Sequence, residues 1–292
     1  MQIQTLGSFT VHKVLEVELP GPLKMAFSDV STADLEELKS WYWDPFLSLA
    51  PETAQMQLSM HSFVLSGRGR NILIDTCLGN HKQRSGPFGG GLDTPYLARL
   101  AEAGFSPADI DVVLCTHLHA DHVGWNTRLQ DGRWVPTFPN ARYVFTRPDV
   151  EHFSRQREEV FNAEAFADSV LPIIEAGQAD IVETRHTLDR DLEHGVWLEE
   201  APGHSPGSCA IHVRSGSAHG IFSGDLFHHP IELVRPSMHF FADLDPVLTA
   251  QTRARMFEKF ADTDTRFFPA HFIDPTAGRL LTRGRAFEYR FV

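Results

Sequence analysis

The sequence predicts a single α/β domain, residues 1–292, with a core of two β-sheets covered by helices. Strand-like segments recur in both halves of the chain, and helical segments lie between and after them. No repeat, low-complexity tract or linker separates one half from the other. At 292 residues and 42% hydrophobic content, the chain can bury a substantial core.

Phe9 to Leu19 reads as a strand, and Asp34 to Lys39 has helical spacing of leucines and charges. The cluster Trp41-Tyr42-Trp43-Asp44-Pro45-Phe46 fits a packed lid or core edge better than a substrate wall, because aromatic side chains mainly bury area. Ser62 to Ser66, a Gly67-Arg68-Gly69 turn and Asn71 to Asp75 form a hairpin ending on an acid. Ser85 to Gly91 is a glycine-rich loop without the spacing or lysine of a phosphate-binding loop. Thr94 to Ala103 is a helix stopped by Gly104, and Ile110 to Cys115 is a short apolar run suited to a buried strand. Further strands are expected at Trp134 to Thr137 and Ala141 to Phe145, then a helical excursion from Pro148 to Gly177. Ile181 to Leu198 holds more strands and turns, and a strand from Ser208 to Val213 leads through a turn to Gly220 to Asp225. Asp245 to Ala261 is a helix with Pro246 at its start, and Phe267 to His271 reads as the last strand.

A net charge of −12 gives no overall cationic surface for phosphate backbones, so nucleic acid is not the expected partner. No stretch is apolar for long enough to span a bilayer, and the first residues lack a secretory signal; a cytoplasmic protein with a small-molecule substrate is expected. Cys77, Cys115 and Cys209 are odd in number and far apart, which suits small buried residues rather than a disulfide framework.

The chemistry sits among the 16 histidines. Thr116-His117-Leu118-His119-Ala120-Asp121-His122 follows directly on the apolar Val112 to Cys115 run, so four ligand-type side chains emerge where a buried strand becomes a loop. Imidazole nitrogen and carboxylate oxygen bind zinc and related divalent ions well. Residues two apart on an extended segment share a face, so His117 and His119 can converge on one ion, while Asp121 and His122 turn toward another position. A surface histidine patch or a helix cap is the ordinary use of an isolated His pair; four such groups in six residues favour metal.

His-x-His-x-Asp-His after a strand resembles the signature of the metallo-β-lactamase superfamily. Ala201-Pro202-Gly203-His204-Ser205-Pro206-Gly207-Ser208 is similar to its Gly-His-(Ser/Thr)-Pro-Gly turn, Phe222-Ser223-Gly224-Asp225 to its Gly-Asp segment, and Pro269-Ala270-His271 to its terminal histidine element. The resemblance covers about residues 60 to 275, leaving 1–59 as an N-terminal extension, and implies an αββα sandwich with two mixed sheets flanked by helices. It also implies two divalent metal ions, zinc first, with manganese, iron or cobalt as alternatives. His117, His119 and His204 would hold one, Asp121, His122 and His271 the other, and Asp225 would bridge them. A bridging water would lose a proton near neutral pH and attack an electrophilic carbonyl or phosphorus, with Asp121 accepting the proton or orienting the nucleophile. Asp75 matches an acid that orients ligands, though a simple turn acid at a hairpin end reads the same way.

Aspartate at 225, where β-lactam-opening members often carry cysteine, is more like lactonases, thioesterases, phosphodiesterases and the methyl parathion hydrolase group. The 82 residues between His122 and His204 (204 − 122) are closest to the methyl parathion hydrolase and N-acyl homoserine lactonase branch. The resemblance therefore implies hydrolysis of a lactone, ester or phosphotriester, and a homodimer through the N-terminal extension by analogy. His228 stands where lactonases of this branch have tyrosine; it is either a proton donor to the leaving group or a surface histidine beside the site. A glyoxalase II-like thioesterase would need a C-terminal helical domain, and only 21 residues follow His271 (292 − 271). A mononuclear iron enzyme resembling persulfide dioxygenases would leave the second ligand set without a use, and for a non-catalytic metal-binding or sensing protein an open two-metal site is costly to keep for binding alone.

Overall fold

The computed structural model describes residues 3–85, 91–156, 160–190 and 194–292, with the side chains of 189 and 190 set aside. Most of the expected Ser85 to Gly91 loop falls outside the described residues. By internal contacts the chain divides into two compact units, Met1–Val17 with Met60–His186, and Glu18–Ser59 with Thr187–Val292.

The first sheet has strand order β1-β2-β3-β4-β5-β8-β9. Its members are β1 (Ile3–Leu6), β2 (Phe9–Pro22), β3 (Gln55–Gly67), β4 (Arg70–Ile74), β5 (Val112–Leu114), β8 (Arg142–Thr146) and β9 (Ala179–Val182); β6 (Thr127–Gln130) and β7 (Arg133–Pro136) form a separate hairpin. β3 and β4 pair antiparallel through a two-residue turn in which Arg68 has φ +55° and Gly69 φ +74°, the positive values that a tight hairpin turn needs. β4, β5, β8 and β9 run parallel. Parallel strands are covered on both faces, which is why Val112 to Leu114 is continuously apolar and fully buried. Val64, Leu73, Val113, Tyr143 and Phe145 meet in the core of this unit, each worth roughly 1.5–3 kcal/mol of burial.

The parallel strands fix where polar side chains gather. The carboxyl end of β4 delivers Asp75, that of β5 delivers Thr116 and His117, and that of β8 leads into Asp149, so three neighbouring strands empty onto one edge. Helix Arg147–Arg155, helix Val160–Ala165, a π-helical turn at Phe166–Val170 and helix Leu171–Glu175 form the expected excursion.

The second sheet runs in chain order: β10 (Thr187–Arg190), β11 (His194–Glu200), β12 (Cys209–Ser215), β13 (Ala218–Gly224), β14 (Arg266–Pro269), β15 (Gly278–Arg283) and β16 (Ala286–Phe291). Both sheets are mixed, since β13 and β14 pair parallel within an otherwise antiparallel sheet. Phe222 and Phe268 stack across that pair at 4.7 Å. β11, β13 and β14 point the same way, so His204, Asp225 and His271 all follow the carboxyl ends of like-directed strands.

Two sequence expectations need correction. Phe267 to His271 is not the last strand: β14 stops at Pro269, and a hairpin of β15 and β16 follows. Its four arginines, Arg279, Arg283, Arg285 and Arg290, mask the alternation of an edge hairpin with one wet face. Residues 1–59 are also more than an appendage, because β1, β2 and the start of β3 build the first sheet. The aromatic cluster lies at a core edge. Trp41 packs against two apolar clusters of its unit, whereas Trp43 and Phe46 are exposed. Among the described residues no helix is long and apolar enough to cross a membrane.

Gly203 sits at φ +132°, and a Cβ there would lie 2.3 Å from the backbone nitrogen of Thr249. Gly203→Ala is therefore expected to cost about 2 kcal/mol or more in urea unfolding, because the Pro202-Gly203 turn and the helix Pro246–Phe260 have no room to part.

Candidate metal centre

The first unit gathers His117, His119, Asp121 and His122 around one buried carboxylate, Asp75. Its Oδ1 accepts the Thr116 backbone N–H at 2.7 Å, and its Oδ2 accepts the Thr116 hydroxyl at 2.8 Å. That same Oδ2 lies 2.8 Å from His122 Nδ1. A carboxylate in that position holds the Nδ1 proton and leaves the Nε2 lone pair for an ion. Thr116 passes the same instruction to His117. Its hydroxyl proton points at Asp75, so its oxygen can only accept from His117 Nδ1, 3.1 Å away. The His117 ring centroid is 4.6 Å from that of His119 and 4.0 Å from that of His122. Asp121 is half-buried, 3.7 Å from His122 Nε2.

The second unit repeats the logic around Asp225. His204 Nδ1 lies 2.9 Å from Asp243 Oδ1, while its Nε2 lies 3.2 Å from Asp225 Oδ2. His271 Nε2 approaches the other oxygen, Oδ1, at 3.0 Å. Burial alone would lower the pKa of His204, but Asp225 and Asp243 outweigh it and hold the value above the usual imidazole range.

His228 is not the surface histidine that one reading of the sequence allowed. It is 1% exposed, its Nε2 is 3.2 Å from Asp225 Oδ2, and its ring stacks on Phe240 with centroids 3.6 Å apart. Burial opposes its charge, but the carboxylates of Asp225 and Glu232 push its pKa up to about 10. Glu232 accepts the backbone N–H groups of His228 and His229 and is ion-paired to Arg253 at 2.6 Å; both side chains are wholly buried. Arg253 donates on to the carbonyls of Leu226, Pro236 and Met238, which ties this loop to the helix Pro246–Phe260.

These donor sets fit divalent metal ions. His117, His122 and His204 each have Nδ1 tied back to an acid or hydroxyl, leaving Nε2 for an ion, which is how supported metal sites are built. Sequence reasoning found Asp75 but missed Asp243, Glu232 and Arg253. Asp243 lies 39 residues beyond His204 in an irregular segment, where no spacing rule could have linked the two.

The model of the metallo-β-lactamase superfamily matches residues 58–271. The chain belongs to the metallo-β-lactamase superfamily. An N-acyl homoserine lactonase, AiiA, of Bacillus thuringiensis subsp. kurstaki is 25% identical over 234 residues, covering 75% of this chain and 83% of the lactonase. A ribonuclease of Thermus thermophilus is 25% identical over 211 residues, covering 68% of this chain and 42% of the ribonuclease, so the chain spans less than half of that relative. Among solved structures, AidC, a dizinc quorum-quenching lactonase in complex with a product N-hexnoyl-L-homoserine, superposes with a TM-score of 0.80 at 21% identity over 99% of this chain and 96% of AidC. The hydrolase AbOPH of the beta lactamase superfamily gives 0.80 at 22% identity with the same coverage. At these identities the likeness establishes the fold: two mixed sheets with helices, shared over nearly the whole chain and including residues before 58.

Two substitutions probe the acids behind His204 and His228. Asp243→Asn keeps the size of the side chain but offers His204 Nδ1 no charge, and metal affinity measured by chelator competition is expected to fall about 10- to 100-fold. Glu232→Gln strands Arg253 as a buried, uncompensated charge and is expected to cost about 3–5 kcal/mol in chemical unfolding.

Proposed function

We propose that this member of the superfamily is a dinuclear metal-dependent hydrolase, most readily a zinc enzyme, acting on a lactone, ester or phosphotriester. The observation that carries the reading is Asp225, whose Oδ2 faces His204 and whose Oδ1 faces His271. A carboxylate shared in this way between two imidazoles can bridge two ions, which supports the reading. The order of the motifs and the family membership support His117, His119 and His204 as ligands of one ion, with Asp121, His122 and His271 as ligands of the other.

Two divalent ions, if bound there, would supply a water acidified to near neutral pH and a Lewis acid for the carbonyl or phosphoryl oxygen. The chain's own groups do the rest. Asp121, the least buried of the four acidic and imidazole groups in its loop, takes up or steers the proton of the nucleophile. His228, held flat against Phe240 with Nε2 toward Asp225, gives a proton to the departing alkoxide. The curated lactonase relatives favour a lactone first. RNA, suggested by the ribonuclease relative, has no support in a chain of net charge −12.

Metal content by mass spectrometry on protein purified without chelator, joined to a panel of γ-lactones, aryl esters, phosphotriesters, thioesters and a β-lactam, tests the proposal. About two zinc-like ions per chain and chelator-sensitive turnover of a lactone, ester or phosphotriester are expected. About one iron per chain, with oxygen consumption and no hydrolysis, would replace it with the oxygenase reading. His119→Ala and Asp225→Ala are each expected to lose most bound metal and at least about 100-fold in kcat/KM. Wild-type turnover by either variant with metal shown to be absent rules out the two-ion mechanism.

A further inference from the structure

The backbone of the loop from His117 to His122 is held from two sides. On the side of its own sheet the His122 carbonyl accepts the Thr76 N–H at 2.8 Å and the Thr76 hydroxyl at 3.2 Å. Three further hydrogen bonds come from Arg84 and from the helical excursion after β8. Leu118 N–H donates to Asp149 Oδ2 at 3.1 Å, Ala120 N–H donates to Asn162 Oδ1 at 3.2 Å, and Arg84 Nη1 donates to the Ala120 carbonyl at 2.9 Å. Ala120 opens the short helix Ala120–Val123, so its N–H has no partner within that helix, and Asn162 supplies the acceptor. Ala120 separates His119 from Asp121, so both its polar backbone groups are pinned between two candidate ligands.

Arg84 is itself clamped. Its Nε and Nη2 reach the two oxygens of Asp168 at 2.9 and 2.7 Å, a bidentate fork, and Nη2 also donates to Ser169 Oγ at 2.9 Å. Asp168 and Ser169 lie in the π-helical turn Phe166–Val170, an irregularity frequent at functional sites. The Arg84 side chain is 1% exposed and that of Asp168 12%, so the fork is largely screened from water. Around it, Lys82 Nζ bonds Thr127 Oγ1 at 2.6 Å and Ser169 Oγ at 2.9 Å, and Thr127 Oγ1 donates to the Asp168 carbonyl. Of these groups, Arg84 alone among the described residues connects the buried ionic cluster to the Ala120 carbonyl.

We infer that Arg84, locked by Asp168 and acting through the Ala120 carbonyl, is a positioning residue that sets the separation of His119 and Asp121 and thereby the metal affinity of the loop. His119 and Asp121 are taken as ligands on the two-ion reading proposed above. The rigid planar fork is what the arrangement needs: one edge spans Asp168 while the remaining nitrogen reaches the carbonyl. A lysine, with a single nitrogen on a flexible stem, keeps the charge and cannot satisfy both. The inserted helices are then part of the metal-binding machinery rather than a covering of the sheet.

The test uses the full chain stripped of metal with chelator and titrated with Co(II), followed by visible absorption. Arg84→Lys is expected to weaken cobalt binding about 10- to 100-fold and to alter the ligand-field bands. Asn162→Ala, which removes the other Ala120 anchor from a less buried position, is expected to shift both in the same direction by a smaller factor. Thr127→Val loosens the same ionic cluster without touching Ala120; a lower thermal midpoint with wild-type cobalt affinity is expected. Wild-type cobalt affinity and spectrum in both Arg84→Lys and Asn162→Ala overturns the inference. So does a loss in Thr127→Val as large as in Arg84→Lys, which would mean general loosening. Should Arg84→Lys fail to fold, Asn162→Ala decides alone. Wild-type protein that binds no cobalt at all sinks the two-ion reading itself, an outcome distinct from a wild type that binds and variants that do not differ.

Discussion

A buried imidazole offers a metal only one nitrogen, and which one is decided by what holds the proton on the other. Asp75 and Asp243 settle that question in their respective units. Asp75 does so for His122 directly and for His117 through the Thr116 hydroxyl, and Asp243 does so for His204. Each acid is itself buried, which is costly unless donors surround it. Asp75 meets that condition with the Thr116 N–H and hydroxyl, and Asp243 with the Phe240 N–H. Within the first unit, parallel strands deliver Asp75 and His117 to one edge; within the second, like-directed strands lead into His204, Asp225 and His271, and Asp243 comes from the irregular segment before the helix Pro246–Phe260.

Charge is concentrated in buried clusters behind the candidate ligands. Glu232 and Arg253 support the loop carrying Asp225 and His228, and Asp168 with Arg84 and Lys82 stands behind the loop carrying His117 to His122. Buried ion pairs of this kind seldom add much net stability over a well-packed apolar alternative, but removing one partner is severe. Their value here is geometric. Both arginines spend their remaining donors on backbone carbonyls of the loops they face, which converts electrostatic attraction into fixed backbone position.

The His228 ring stacks on Phe240 and runs parallel to that of His271 at a centroid distance of 5.6 Å, and its Nε2 lies toward Asp225 while Glu232 secures its backbone. A side chain so confined loses little further entropy on meeting a substrate oxygen, which suits the proton donation proposed for it.

The site was legible in the sequence to the extent that its residues are crowded or flanked by rigid turns. Four ligand-type side chains in six residues after an apolar strand, a histidine in a Pro/Gly turn, and acids or histidines closing the runs at 225 and 271 are local patterns. They persist because a strand end has few ways to place adjacent side chains. The same local logic located most strands and the helix from Pro246, and it failed for the C-terminal hairpin, where arginines interrupt the apolar alternation. Asp243, Glu232, Arg253, Arg84 and Asp168 lay beyond it. Their partners lie 39, 4, 21, 36 and 84 residues away along the chain, and a hydrogen bond has no sequence period unless a single helix or strand carries both ends. The sequence alone therefore determined the family and the candidate ligands. Only the tertiary structure decided which nitrogen His117, His122 and His204 present, because that depends on an acid that folding brings beside the ring or beside the Thr116 hydroxyl.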